Sequence, residues 1–338
     1  MKEKPLTVIT HWIHPEVTEY LTQHCRLLLN DTRESLPRKE LFLRLAQADA
    51  AMMFMPDWVD QELLNHAPRL KVIGAALKGF DNYDVEAITE RGVWLTNVPD
   101  LLTVPTAELT IGLMLSLGRN FRQGDQIVMG GNFHGWRPTL YGTGIQGSTV
   151  GLIGMGRLGQ AVAGRLQGWG ARLLGHDVCP LGPDRAAELH VEQTGLDDLL
   201  RRSDFVVLLT PLAPGTRHLL GAEKLALVRP DCLLINAGRG SCVDEAAVAA
   251  ALRQGRLAGY AADVFEFEDW ALPGRPNAVN LALLDSELRT VFTPHLGSAV
   301  EHVRLEIAME AAENIVEALQ GLRPHGAVNS PIHVSVGA

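Results

Sequence analysis

The sequence predicts an α/β protein built from two doubly wound, parallel-sheet domains, the first discontinuous, with the active site in the cleft between them. Three observations carry this expectation. Short β-type runs alternate with helical patterns along nearly all of the 338-residue chain, a pattern that favours parallel sheets. The length suits two domains better than a single core. Near the middle of the chain a glycine-rich turn separates a buried strand from a helical pattern, and a second α/β series starts there.

In the first hundred residues LTVIT (from Leu6), AAMMFM (from Ala50), KVIGAA (from Lys71) and VWLTNV (from Val93) read as strands. Between them, HPEVTEYLTQHC, PRKELFLRLAQ and WVDQELLNHAPRL carry apolar residues at helical spacing. Pro37 and Asp57 stand where helix starts are expected. From Thr106, TAELTIGLMLSLGRN predicts a long helix apolar on most faces. Such a helix needs a cover, between domains or at a subunit interface. A loop rich in glycine and aromatics, GGNFHGWRPTLYGTG, comes next. The second series, from Ser148, reads as buried strands STVGLIG, ARLLGHD, DFVVLLT, DCLLINA, GYAADVF and VFTP. A final helix from Ser298 to Gln320 is expected to return to the first domain. The expected boundaries are 1–100 plus 299–330 for a flavodoxin-like, substrate-binding domain, 101–298 for a nucleotide-binding Rossmann-like domain, and a fraying tail at 331–338.

The formal net charge of −9 argues against broad attraction to nucleic acid or an anionic membrane. A small anion could still bind, held by local positive groups. Cys25, Cys179, Cys232 and Cys242 are scattered, with no paired metal-ligand spacing, so no metal is expected and reduced thiols are. No apolar run resembles a signal peptide or reaches the ~20 residues that span a bilayer. The expectation is a cytoplasmic protein with no membrane or nucleic-acid partner.

The run Gly154-Met155-Gly156-Arg157-Leu158-Gly159 carries G-x-G-x-x-G. Alone it is a weak signal, but a buried strand precedes it, a helix follows, and the next strand ends in Asp177. Gly154 permits the tight turn, Gly156 lets a pyrophosphate approach the backbone, and Gly159 allows close packing of helix on strand. Asp177, about 20 residues on, would accept hydrogen bonds from the adenosine ribose and repel a 2′-phosphate, which favours NAD over NADP.

Three polar groups follow later strands: Arg239 in N-A-G-R-G-S, Glu268 after D-V-F, and His295 in T-P-H-L-G. This order resembles the D-2-hydroxyacid dehydrogenase family across nearly the whole chain. The resemblance implies that Arg239 binds the substrate anion, His295 exchanges a proton, and Glu268 holds the histidine. The chemistry needs those types: a guanidinium suits an oxyanion, and imidazole titrates near neutral pH. Further cofactor contacts implied are Thr106, Arg157, Leu158, Thr210, Pro211, Ala237, Gly238 and Asp263. Gly238 is a departure, since the family often has a larger residue before the arginine.

Within the family, the blocks Ala75-Ala76-Leu77-Lys78-Gly79-Phe80-Asp81-Asn82, Phe54-Met55-Pro56-Asp57 and Val98-Pro99-Asp100-Leu101-Leu102 are similar to the phosphonate dehydrogenase group. That resemblance implies oxidation of phosphite to phosphate with NAD, by hydride transfer from phosphorus and water attack. Lys78 and Arg239 would hold the dianion, Met55 and Leu102 would exclude water, and Ser298, Trp136, Tyr141 and Arg304 would stand around them. The same motifs admit a D-2-hydroxyacid or glyoxylate/hydroxypyruvate reductase, for which Lys78 is not needed. An NADH-sensing, corepressor-like binding protein is a remote third reading. A homodimer is also implied.

Overall fold

The computed structural model describes residues 3–331, so most of the segment expected to fray lies outside the described residues. The chain divides into two compact units. Among the described residues the first comprises 3–102, 270–273 and 299–331, and the second 103–269 and 274–298.

In the first unit, β1 (Leu6–Ile9), β2 (Arg26–Leu28), β3 (Ala50–Met53), β4 (Val72–Ala75) and β5 (Trp94–Thr96) form a parallel sheet ordered β2-β1-β3-β4-β5. Side-chain alternation gives it two cores. Val8, Ala51, Met53, Ile73 and Leu95 fill one face, while Ile9, Ala50, Met52 and Val72 face the other with Ile307, Ala311 and Ile315. Those last three lie on the helix Glu301–Leu319, which brings the C-terminal region back onto this sheet. Each of the valine, leucine, isoleucine and methionine side chains contributes about 1.5–3 kcal/mol by leaving water.

The second unit holds β6 (Thr149–Ile153), β7 (Arg172–His176), β8 (Val191–Gln193), β9 (Phe205–Leu208), β10 (Leu233–Asn236), β11 (Gly259–Ala262) and β12 (Thr290–Phe292). All run parallel in the order β12-β11-β10-β9-β6-β7-β8. Strand order reverses between β6 and β9, and open α/β sheets bind ligands beyond the carboxyl ends at that switch point. The strands β9, β10 and β11 are buried at every position, as expected for a parallel sheet covered on both faces.

Three expectations need correction. The strands β2 and β8, three residues each at one edge of their sheets, are absent from the sequence reading. Four of their six positions face solvent, so no apolar run marks them. Asp57 starts no helix. It is buried, and its Oδ2 accepts from the Phe54 N–H (2.7 Å) and Thr10 Oγ1, whereas Asp60 caps the helix Gln61–Asn65 through the Leu63 N–H. The apolar helix, which spans Thr103–Gly118, finds a cover inside its own unit: Ala107, Ile111, Met114 and Leu117 pack with Val150, Val162, Phe205 and Leu233.

Candidate active site

The switch point is built by the turn after β6. Gly154 has φ +98°, a conformation that side chains other than glycine's strain to adopt. A Cβ on Gly159 would fall 2.0 Å from the Gly154 carbonyl oxygen, so the helix Arg157–Leu166 begins directly against the turn. In front of that helix the space is open: a Cβ on Gly156 would meet nothing within 4 Å. Free N–H groups and the positive end of the helix dipole face this space, which suits a diphosphate. Arg157 is exposed and Leu158 half-buried in the first helical turn.

Asp177 follows β7. Its Oδ2 accepts from the Met155 N–H (2.6 Å) and its Oδ1 from the Cys179 N–H (2.8 Å). Two backbone donors therefore fix the carboxylate beside the glycine turn, and its further lone pairs can take ribose hydroxyls. The residues present fit a dinucleotide without a 2′-phosphate.

Cys179 adjoins this carboxylate and is exposed, whereas Cys25, Cys232 and Cys242 are buried. Burial pushes the Cys232 thiol up to about 12 and raises the other two as well. A thiol reagent at neutral pH should label Cys179 first, since the thiolate is the reactive form, and saturating NAD should slow that labelling. Labelling of Cys179 at one rate with and without NAD would move the adenosine away from Asp177.

The turns after β9 and β10 are pressed together. A Cβ on Gly238 would sit 2.6 Å from the Thr210 carbonyl oxygen. This chain therefore has no room there for a side chain unless the Thr210 turn shifts. Ala237 is buried behind it and Pro211 is exposed in front. The buried Asn236 holds the turn, accepting from the Gly238 N–H (3.1 Å) and donating to the Arg239 carbonyl (3.0 Å). Arg239 is half-buried, and its Nη1 donates to the Gly238 carbonyl at 2.9 Å.

Glu268 and His295 follow β11 and β12, and the structure brings them together: His295 Nδ1 lies 2.7 Å from Glu268 Oε2. The other carboxylate oxygen accepts from the Phe265 N–H at 2.8 Å. An ionised carboxylate only accepts, so Nδ1 carries the hydrogen and Nε2 is left to exchange a proton with a ligand. Glu266, two residues earlier, does not reach His295 and pairs instead with His218 at 3.1 Å.

His295 stands at φ +56°, a left-handed conformation costing on the order of 1–3 kcal/mol for a residue with a side chain. The buried Asp263 imposes it. Its Oδ1 accepts from Thr293 Oγ1 and the Leu296 N–H (both 2.6 Å), its Oδ2 from the Gly297 N–H (2.8 Å), and its carbonyl from the His295 N–H (2.9 Å). Burial raises the Asp263 carboxyl above its usual value, against these donors. Thr106 borders the same turn, with its Oγ1 3.1 Å from where a Gly297 Cβ would stand, and Ser298 follows half-buried.

Of the remaining expected residues, Met55, Lys78, Leu102 and Arg304 belong to the first unit, and Trp136 and Tyr141 to the second. Met55, Lys78 and Leu102 are half-buried and follow β3, β4 and β5, so all three gather at the carboxyl edge of the five-stranded sheet. Asn97 Nδ2 donates to the Lys78 carbonyl at 2.9 Å, and Tyr83 Oη to the Phe54 carbonyl at 3.1 Å, which ties those turns to the sheet. Arg304 is half-buried, its guanidinium 5.8 Å from the Phe54 ring centre. Trp136 and Tyr141, expected near the substrate, are 81% and 77% exposed on the glycine-rich loop. A loop with no apolar core of its own has nothing to turn those rings inward.

Residues 111–297 match the D-isomer specific 2-hydroxyacid dehydrogenase family, NAD binding domain. A glyoxylate reductase of Aeropyrum pernix is 36% identical over 98% of this chain and 97% of the relative. Among solved structures, a glyoxylate reductase from Paecilomyes thermophila has a TM-score of 0.83 at 25% identity, covering 97% of this chain and 99% of that one. The D-lactate dehydrogenase from Aquifex aeolicus, complexed with NAD and lactic acid, also has a TM-score of 0.83 at 25% identity, covering 97% and 100%. With NAD as the cofactor of its second unit, the chain belongs to the D-isomer specific 2-hydroxyacid dehydrogenase family.

Proposed function

We propose that the protein is an NAD-dependent reductase of glyoxylate or a similarly small 2-oxoacid, working also on the corresponding 2-hydroxyacid in reverse. The observation that carries this is the His295–Glu268 pair at 2.7 Å on the same sheet edge as Arg239 and the glycine turn. The glyoxylate reductase relatives support the small substrate. Arg239 would grip the carboxylate in two charge-assisted bonds. The reduced cofactor, when bound, supplies the hydride that the carbonyl carbon takes up. His295 Nε2 would give its proton to the carbonyl oxygen while Glu268 holds Nδ1 and stabilises the ring's charge.

A second reading, oxidation of phosphite to phosphate, is favoured by Lys78 in its block after β4. A dianion asks for more positive charge than a monocarboxylate does. In that reaction the hydride leaves phosphorus, a water oxygen bonds to it, and His295 takes a proton from that water. The two readings separate in one assay, which follows NADH absorbance with NAD plus phosphite, NAD plus glycolate, and NADH plus glyoxylate. Turnover of glyoxylate alone supports the first reading, and turnover of phosphite at a rate above the others replaces it with the second. Lys78→Ala sharpens the choice. If phosphite is the substrate, KM should rise at least tenfold through loss of one contact of about 1.5–3 kcal/mol. If glyoxylate is, KM should move by less than about threefold.

The exposed apolar residues Phe121, Val128 and Met129, on a helix with no buried residue, together with Phe133 and Trp136, support a homodimer. A cytoplasmic setting fits the four free cysteines. Among the described residues no helix is long and apolar enough to cross a membrane.

A further inference from the structure

The short 3-10 turn Glu266–Glu268 that presents Glu268 has almost no core of its own, yet proton transfer demands placement within fractions of an ångström. What fixes it is a second carboxylate, Glu245, which opens the helix Glu245–Arg253 and is only 2% exposed. Glu245 Oε1 accepts from the Glu266 N–H at 2.8 Å, and Glu245 Oε2 accepts from the Asn280 N–H at 3.1 Å. Glu266 reciprocates, its Oε1 accepting from the Glu245 N–H at 2.9 Å while its Oε2 pairs with His218. Two neighbouring points close the seam. Asp269 Oδ2 accepts from the Ser241 N–H at 2.8 Å, and a Cβ on Gly240 would coincide with the Phe265 carbonyl carbon, 1.9 Å away. The segment 240–245 begins immediately after Arg239, so the turn carrying the glutamate is stitched to the turn carrying the arginine.

We propose that the Glu245–Glu266 lock is a positioning device that sets Glu268, and through it His295, in register with Arg239. The inference rests on the reading of His295 and Glu268 as the proton-transfer pair. Burial raises the Glu245 carboxyl, the backbone N–H groups of Glu266 and Asn280 oppose that rise, and the charges of Glu266 and Glu268 add to it; an apolar residue there would leave both backbone donors unpaired.

The test is a double-mutant cycle in the full-length enzyme, with NADH plus glyoxylate, NAD plus glycolate or NAD plus phosphite, whichever is turned over. Glu245→Gln turns an amide N–H₂ toward a backbone N–H and opens one side of the lock. It should lower kcat about tenfold to a hundredfold, the cost of a misplacement near 1 Å, with the KM for NAD within about twofold of wild type. In a Glu268→Gln background the same change should cost less than about twofold, because its route has been removed. A kcat near wild type in Glu245→Gln, or losses that multiply in the double variant, would overturn the lock alone. Should Glu245→Gln fail to fold, Glu266→Gln, at a less buried side chain, opens the lock from the other side and must show the same split. Full turnover in both Glu268→Gln and His295→Asn would overturn the proton-transfer assignment, and the lock with it.

Discussion

His295→Asn should lower kcat by about 10²–10⁴-fold, the usual contribution of a positioned general acid or base, while NAD still binds. Asparagine is the informative replacement. Its Nδ2 can stand where Nδ1 stands and keep the 2.7 Å bond to Glu268, and it accepts the left-handed backbone better than most residues. Only the nitrogen that would exchange the proton is lost. The measurement is steady-state NADH absorbance beside NAD binding followed by quenching of protein fluorescence. A kcat within about threefold of wild type, with NAD bound normally, would remove His295 from proton transfer.

Arg239→Ala should lower kcat/KM by about 10²–10⁴-fold, consistent with losing two charge-assisted bonds of about 1.5–3 kcal/mol each. Arg239→Lys should recover only part of this, because an ammonium keeps the charge but cannot offer the planar fork. The turn itself should survive both changes, since Asn236 holds the main chain at Gly238 and at the Arg239 carbonyl. Guanidinium ion added to Arg239→Ala should restore some activity, and none to wild type. Equal activity of the lysine and arginine enzymes would show that point charge is all the site needs there.

The parts of the fold legible in the sequence are those whose physics is local. The strands β3, β4, β9, β10 and β11 are buried at every position and read as unbroken apolar runs. β2 and β8 did not, because a three-residue edge strand takes its identity from its neighbour. Asp57 looked like a helix cap because the chain ahead of the helix offers two aspartates, and only burial tells them apart. Arg239, Glu268 and His295 were legible as polar residues standing at the ends of apolar runs. Glu245 was not. An acid in the first turn of a helix behind Asp244 is what capping and the helix dipole favour anyway, and nothing in the sequence shows that its side chain turns inward.

The backbone of His295 also bears on how far this protein can be made rigid. A left-handed residue in a turn whose backbone N–H groups converge on Asp263 holds tension that glycine would release. The sequence best for heat resistance and the sequence best for turnover therefore part company at this position. Variants selected for thermal endurance alone would drift toward an inert chain here, so screens for robustness need activity as a second filter.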